Sequence, residues 1–561
     1  MADFIRPDGI GHVLQKRLQE RAASRPNTSW LQEWWNDLAY LSYRDSIVYN
    51  VTYYLQFADE LPFAMADPSR RAARFVSHGL KFRDLVASGQ LAPDMQKGGK
   101  PMSNTQWKYV FNCCRMPGDG TDFVRTYAPD LHNHIVVARK NRFYSFDVYD
   151  LNGDALSVDA LELQFKRIIQ MADAKGTDPN PIGILTAENR DVWYQKRKLL
   201  LVGPKAAENE KVLELIQSSI FAVTFDDSKP VTREEVGRAL LHGDGKNKFW
   251  DKSFMITVFD NGKMGYVGEH AMADGLTTTR FVNETLDKMF SDPESKDMRT
   301  SKPLPVVTPG LTEPVSLQLT LTKEAKSAIK EAEVTFDEII STKELSVLMF
   351  YGYGSQQIKK YKTSPDAFAQ LAIQLAYYKT FGYCRGTYES TQTRAFLHGR
   401  TEVTRSVNVD SDAFCKAMTT GALSHTSKQL HQLLVKATQT HVAYIGQASR
   451  AQGCDRHLLG LKLLLREGEH AAIFDDAAYK RSGHWAISTS GLVGENMDGW
   501  GFGEVVPDGI GIGYSVQNNR IRYSVTSRHK WAKRMTANLE RALLEMQALC
   551  EANTEQPRAK L

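Results

Sequence analysis

The spacing of apolar residues changes period repeatedly along the chain, and each change marks an element. WLQEWWNDLAYLSYRD (30–45) mixes aromatic and charged residues at roughly helical intervals and predicts a helix. RKLLLVG (197–203) and IFAVTFDD (220–227) are short apolar runs rich in β-formers and predict strands. FMITVFD and MGYVGEH flank Asn261-Gly262, a pair suited to the left-handed backbone of a tight hairpin. From Asp274 to Phe290 the spacing is helical again. SKPLPVVTPGL (301–311) holds three prolines and one glycine and predicts a linker. Beyond it the alternation restarts. VSLQLTLT predicts a strand, KEAKSAIKEAEVTFDEII a helix, and DAFAQLAIQLAYYKTF (366–381) a long amphipathic or buried helix. GIGIGYSV and RIRYSVTS pair across Asn518-Asn519, and WAKRMTANLERALLEMQALCEAN closes the chain as an amphipathic helix. Strands and helices mixed on both sides of one linker predict two α/β domains.

Length agrees, since 561 residues exceed what one hydrophobic core organises. Seventy basic against 65 acidic residues leave +5, which gives no electrostatic case for nucleic acid. The six cysteines form no CxxC pair, so free thiols are favoured over disulfides or zinc. No apolar run approaches the ~20 residues of a membrane helix. The first residues, MADFIRPDGIGHVLQKRL, contain no apolar signal core. The expectation is a soluble, non-secreted protein. The terminal Ala559-Lys560-Leu561 is a close variant of the SKL address and predicts peroxisomal import through its receptor.

Five segments carry candidate chemistry. In GEHAMADG, His270 follows a predicted strand with Asp274 four residues on; an imidazole can take an alcohol proton near neutral pH and a carboxylate can orient it. On local pattern alone, a structural histidine is the commoner outcome. TYESTQTRAFLHGRTE (387–402) clusters hydroxyls with arginine, which suits a small carboxylate, as it also suits a solvated loop. In DRHLLGL, Arg456 precedes an apolar helix. ISTSGL (487–492) presents hydroxyls that can donate to an oxyanion or populate an edge strand. In GWGFGEVVPDGIGIGY (499–514) glycines surround Trp500 and Phe502; this suits a pocket wall for a quaternary ammonium, or a turn between strands. His132-Asn133-His134 lacks the surrounding ligands that a metal-dependent nuclease reading requires.

The order of these segments is more specific than any of them. WLQEWW, YRD, EHAMADG, SPDAFAQLAIQLAYYK, TYESTQTRAFLHGRTE, DRHLLGLK, STS and FGEVVPDGIGIGY together resemble the carnitine/choline acyltransferase family, from about Trp30 almost to the C-terminus. The resemblance implies two α/β domains of the chloramphenicol acetyltransferase type, each a mixed sheet flanked by helices, with a tunnel between them. The implied division is a helical segment 1–41 packed on the C-terminal domain, an N-terminal catalytic domain 42–312 and a C-terminal domain 313–561. It implies reversible transfer of a short acyl group, acetyl, between coenzyme A and the 3-hydroxyl of L-carnitine, by a monomer with no permanently bound cofactor and no metal. His270 falls on the family's base, Asp274 on its acidic companion and Ser490 on the oxyanion. Trp35, Tyr40, Tyr388, Thr401, Arg456, Ser488 and Phe502 fall on the carnitine side. Lys359, Lys360, Asp366 and Ser390 fall on the coenzyme A side, and Trp500 on the acyl pocket.

Three departures from the family pattern stand out. Ser355 occupies a position where the family usually has a lysine for coenzyme A, with Lys360 and Lys362 near enough to compensate. The chain starts just before WLQEWW without the family's proline-rich N-terminal segment, and a longer transcript with a mitochondrial presequence is compatible with that start. Trp500, large where the family tunes acyl length, should close a deep acyl pocket. This argues against a medium- or long-chain enzyme, as Thr401 with Arg456 argues against choline as acceptor. Retention of His270, Asp274 and the STS run argues against a non-catalytic coenzyme A-binding relative.

Overall fold

The computed structural model describes residues 2–96, 98–296, 311–420 and 424–553. The expected linker, apart from Leu311, and the terminal Ala559-Lys560-Leu561 lie outside them. The α/β class holds, with two mixed sheets covered by helices. In spatial order the eight strands of the first sheet are Met497–Phe502, Tyr53–Phe57, Met264–Gly268, Phe254–Phe259, Ala222–Asp226, His134–Arg139, Arg142–Asp147 and Val315–Leu317. The second has six: Lys343–Phe350, Ile521–Arg528, Ile510–Val516, Ile487–Gly491, Thr387–Gln392 and Thr401–Arg405.

Both predicted hairpins form. Gly262 adopts φ +78°, and strands Phe254–Phe259 and Met264–Gly268 pair antiparallel around it. Ile510–Val516 and Ile521–Arg528 pair across Asn518-Asn519. The predicted helix 366–381 is Pro365–Phe381, capped by Ser364 and ended by Gly382 in the left-handed region. Most of its residues are buried, since it packs between the second sheet and the closing helix Ala532–Asn553.

Two expectations change. RKLLLVG is not a strand: Asn189 accepts hydrogen bonds from the Asp191 and Val192 N–H groups and starts the helix Arg190–Leu199, which runs through the basic residues. The three leucines sit at its C-terminal turn, with Leu200 buried. The change of sheet also does not coincide with 312/313. Strand Val315–Leu317 pairs with Arg142–Asp147, and the helix Lys323–Ser341 buries Ala325, Ile329 and Phe336 in the first core. The second sheet begins at Lys343.

The sheets are also stitched together. Strand Met497–Phe502 leaves the C-terminal half to pair with Tyr53–Phe57, Leu55 opposite Trp500. It crosses the strand carrying Gly513 so closely that a Cβ there would lie 2.9 Å from the Trp500 carbonyl. Near the N-terminus, Phe4, Leu14 and Leu18 pack with Leu461, Ala471 and Phe474.

Candidate active site

A cavity of about 530 Å³ lies between the two sheets. His270 enters it from the end of strand Met264–Gly268. The turn that delivers it is fixed by Arg115, which donates to Glu269 Oε1 at 2.9 Å while Glu269 Oε2 accepts from the Ala271 N–H. The same guanidinium donates to the Tyr40 carbonyl at 2.7 Å. One buried arginine therefore holds two walls together.

The expected helix 30–45 is α-helical over Gln32–Asn36 and continues as a π-turn over Asp37–Leu41, where the Ser42 N–H donates to the Asp37 carbonyl. Such five-residue turns recur at functional sites because they re-aim side chains. Here Trp35 and Tyr40, five apart, meet edge to face at 6.3 Å. Tyr40 stacks on the His270 ring at 5.3 Å, and Tyr53 closes its edge at 5.2 Å.

The histidine is half-buried, and its Nδ1 is buried without a hydrogen-bond partner. Its exposed edge is thus turned away from Nδ1. Burial pushes the His270 pKa below the ordinary histidine value; the Asp274 carboxylate offsets part of this, while Arg400 reinforces it. The imidazole is neutral at neutral pH, the form a general base requires.

Asp274 does not hydrogen-bond His270: Nδ1 and Oδ1 are 3.9 Å apart. Its carboxylate is committed elsewhere, to Arg400 at 2.8 Å and to the Gln106 amide at 2.7 Å. Gln106 also accepts from the Asp274 N–H and the Thr277 hydroxyl. Burial alone would raise the Asp274 pKa, yet Arg400 holds it below the carboxylate value. Arg400 further donates to the His270 and Ala271 carbonyls and to Asn36. Asp274 therefore acts on the histidine through space, as one half of a buried ion pair.

On the opposite wall Arg456 is buried with its guanidinium 3.5 Å from the centre of the Trp35 ring. It donates to the Thr401 carbonyl at 3.0 Å, to Tyr388 Oη at 3.1 Å and to Thr401 Oγ1 at 3.3 Å. This corner offers a cation and two hydroxyls to an anion, a donor set matched to a carboxylate. The third wall is strand Ile487–Gly491. Thr489 Oγ1 is taken up by the Tyr388 carbonyl and the Gln370 amide, whereas Ser488 and Ser490 are the alternate residues of the strand. Trp500 and Phe502, 5.7 Å apart, complete the lining, and Trp500 Nε1 donates to the Tyr514 carbonyl at 2.9 Å.

Of the residues singled out from the sequence, His270, Asp274, Ser490, Trp35, Tyr40, Tyr388, Thr401, Arg456, Ser488, Phe502, Ser390 and Trp500 share this cavity. Lys359, Lys360 and Asp366 do not line it. The two lysines are exposed on the short helix Ser355–Lys360, and Asp366 accepts from Tyr514 Oη at 2.6 Å. Sequence reasoning missed Arg115, Gln106 and Arg400. Arg400 lies inside TYESTQTRAFLHGRTE, but nothing local tells its role from that of Arg394.

The sequence pattern described as choline/carnitine O-acyltransferase matches residues 1–544. The carnitine O-acetyltransferase of Homo sapiens is 34% identical over 579 aligned residues, spanning 100% of this chain and 89% of that protein. The mitochondrial carnitine O-acetyltransferase of Saccharomyces cerevisiae is 32% identical, across 92% of this chain and 77% of its own. The mitochondrial carnitine O-palmitoyltransferase 2 of Homo sapiens is 30% identical, across 93% and 82%.

Proposed function

Because the chain belongs to the choline/carnitine O-acyltransferase family, and is an acyltransferase, we propose that it moves acetyl reversibly between coenzyme A and the 3-hydroxyl of L-carnitine. The observation that carries this reading is the facing of two groups across one cavity: a neutral, half-buried His270 and the Arg456–Thr401–Tyr388 corner. Carnitine is a weakly acidic alcohol with a carboxylate and a fixed cation, so it needs both.

With the carboxylate held at Arg456, the hydroxyl gives its proton to the exposed nitrogen of His270 as its oxygen attacks the thioester carbonyl. The tetrahedral oxyanion is stabilised by the Ser490 hydroxyl and by the substrate's own ammonium. Collapse breaks the carbon–sulfur bond, and the imidazolium returns its proton to the departing thiolate. Every proton is restored and no covalent acyl-enzyme is needed. Burial of the histidine favours its neutral form before attack, and the Asp274–Arg400 pair leaves a carboxylate near enough to stabilise the imidazolium that follows.

Identity does not set acyl length, since acetyl and palmitoyl relatives differ only between 34% and 30%. Trp500, 5% exposed and clustered with Leu55, Leu492 and Met497, supports the short-chain assignment. Lys359, Lys360, Asp366 and Ser390 are assigned to coenzyme A. Release of coenzyme A thiol with carnitine, measured across acyl-CoAs of increasing length, tests the proposal. Fastest turnover with acetyl-CoA is expected, and a preference for octanoyl- or palmitoyl-CoA would overturn the assignment.

A further inference from the structure

Helix Pro365–Phe381 is buried along most of its length, yet it carries two amides one turn apart, Gln370 and Gln374, each 1% exposed. Both reach the back of the second sheet. Gln374 Nε2 donates to Thr387 Oγ1 at 3.0 Å, and its Oε1 lies 3.4 Å from the same hydroxyl. Gln370 Nε2 donates to Thr489 Oγ1 at 2.8 Å and to Tyr514 Oη at 3.1 Å. Both of those hydroxyl protons are already committed, Thr489 to the Tyr388 carbonyl at 3.0 Å and Tyr514 to Asp366 Oδ1 at 2.6 Å. The two oxygens can only accept from Gln370, so its nitrogen must face them. The cost falls on the other end of the amide, where Oε1 is buried with no hydrogen-bond partner among the described residues. A leucine would fill similar volume without an orphaned oxygen, so stability alone gives no reason for an amide at this position.

What the amide holds is the pair of residues on either side of Ser490. Thr489 precedes it. Gly491 follows it, so close to Tyr514 that a Cβ there would lie 2.9 Å from the ring's Cζ. Strand Ile487–Gly491 runs parallel to both of its neighbours, Thr387–Gln392 and Ile510–Val516. Its pairing with the first ends at Glu389–Thr489, so Ser490 has a strand partner on one side only, Gly513.

We propose that Gln370 is the positioning residue of the oxyanion site: from behind the sheet, through Thr489 and Tyr514, it fixes where Ser490 presents its hydroxyl to the reacting carbonyl. The inference rests on the acyl-transfer reading above and deepens it, since Gln370 does not line the cavity and acts only through its neighbours. Loss of an oxyanion donor lowers kcat about 10²–10³-fold, so a donor kept but loosely held should lower it about 10- to 100-fold.

Gln370→Leu, Gln374→Leu, Ser490→Ala and Gln370→Leu/Ser490→Ala are compared with the parent in acetyl transfer to carnitine. Gln370→Leu should lower kcat about 10- to 100-fold and move the KM of either substrate less than about threefold. Gln374→Leu, equally buried on the same helix, should keep kcat within about threefold. In the Ser490→Ala background Gln370→Leu should lower kcat less than about threefold further, because the hydroxyl it positions is gone. Equal losses in the two glutamine variants, or an undiminished Gln370→Leu effect in the Ser490→Ala background, overturn the proposal. Gln370→Met, closer in shape, runs in parallel in case leucine prevents folding. Amide hydrogen exchange of residues 487–491 gives a readout without turnover: it should quicken in Gln370→Leu and not in Gln374→Leu, and equal protection in both also overturns the positioning. Absence of acetyl transfer in the parent would therefore sink the proposed function while exchange still decides whether Gln370 holds the strand.

Discussion

Replacing Arg456 by Asn tests the acceptor end of the site most directly. Arg456 is 8% exposed, its guanidinium lies 3.5 Å from the centre of the Trp35 ring, and its side chain makes three hydrogen bonds, two of them with the hydroxyls of Tyr388 and Thr401. A carboxylate bound there trades water for a charge-assisted contact in a largely desolvated corner. Such a bond contributes about 1.5–3 kcal/mol, or roughly a 10- to 150-fold change in binding. Arg456→Asn should raise the carnitine KM by that factor and move the acetyl-CoA KM by less than about threefold, because its bonds are all on the acceptor side. Choline carries the same cation without the carboxylate, so its weak turnover should change little and the carnitine-to-choline ratio should collapse. Loss of Trp35 stacking and of the Thr401 carbonyl contact also loosens the corner, so melting temperature is recorded on the same samples. An unchanged carnitine KM, or equal losses for carnitine, choline and acetyl-CoA in a stably folded variant, would refute the assignment.

Other outcomes follow from the same geometry. His270→Ala should lower turnover about 10²–10⁴-fold with circular dichroism unchanged; retained turnover in a folded variant removes His270 as the base. The acid limb of kcat/KM should lie below the ordinary histidine range, because burial and Arg400 depress the His270 pKa and the base works only above it. Arg400→Gln removes a nearby cation, favours the imidazolium and should move that limb to higher pH; a shift to lower pH would contradict the through-space reading. Independently of the structure, the sequence expectation that Ala559-Lys560-Leu561 is a peroxisomal address predicts that deleting it releases a fluorescent fusion from peroxisomes; an undiminished peroxisomal signal in cells lacking an intact copy would rule the tripeptide out.

Much of the local architecture was legible because it depends on neighbours in sequence. Asn261-Gly262 and Asn518-Asn519 announce their hairpins, and the apolar spacing over 366–381 announces the helix Pro365–Phe381. RKLLLVG misled because its leucines look like a strand when the Asn189 cap eight residues earlier is overlooked. Most of the side chains named through family resemblance, and not through spacing, face one cavity, whereas Lys359, Lys360 and Asp366 do not line it. What holds the cavity together was not legible. Arg115 reaches Glu269, Gln106 reaches Asp274 and Arg400 reaches Asp274, each across more than 100 residues, and buried polar networks of that range leave no periodic trace. The π-turn at Asp37–Leu41 was equally silent, although it alone brings Trp35 and Tyr40 onto one face.

The strand Met497–Phe502 has a consequence for how the molecule is born. It completes the first sheet by covering Tyr53–Phe57, whose sequence is made at the other end of the chain. Until residues 497–502 have left the ribosome, that edge has no partner, and an unpaired apolar strand is a template for pairing with the wrong neighbour. Tyr53, Tyr54, Leu55 and Phe57 are all almost fully buried in the finished molecule, so the nascent form exposes a sticky seam for most of its synthesis. Newly made chains should therefore depend on chaperone protection more than chains whose sheets close early. Catalytic competence should arrive in a single late step, because the strand that seals the seam also brings Trp500 and Phe502 to the cavity.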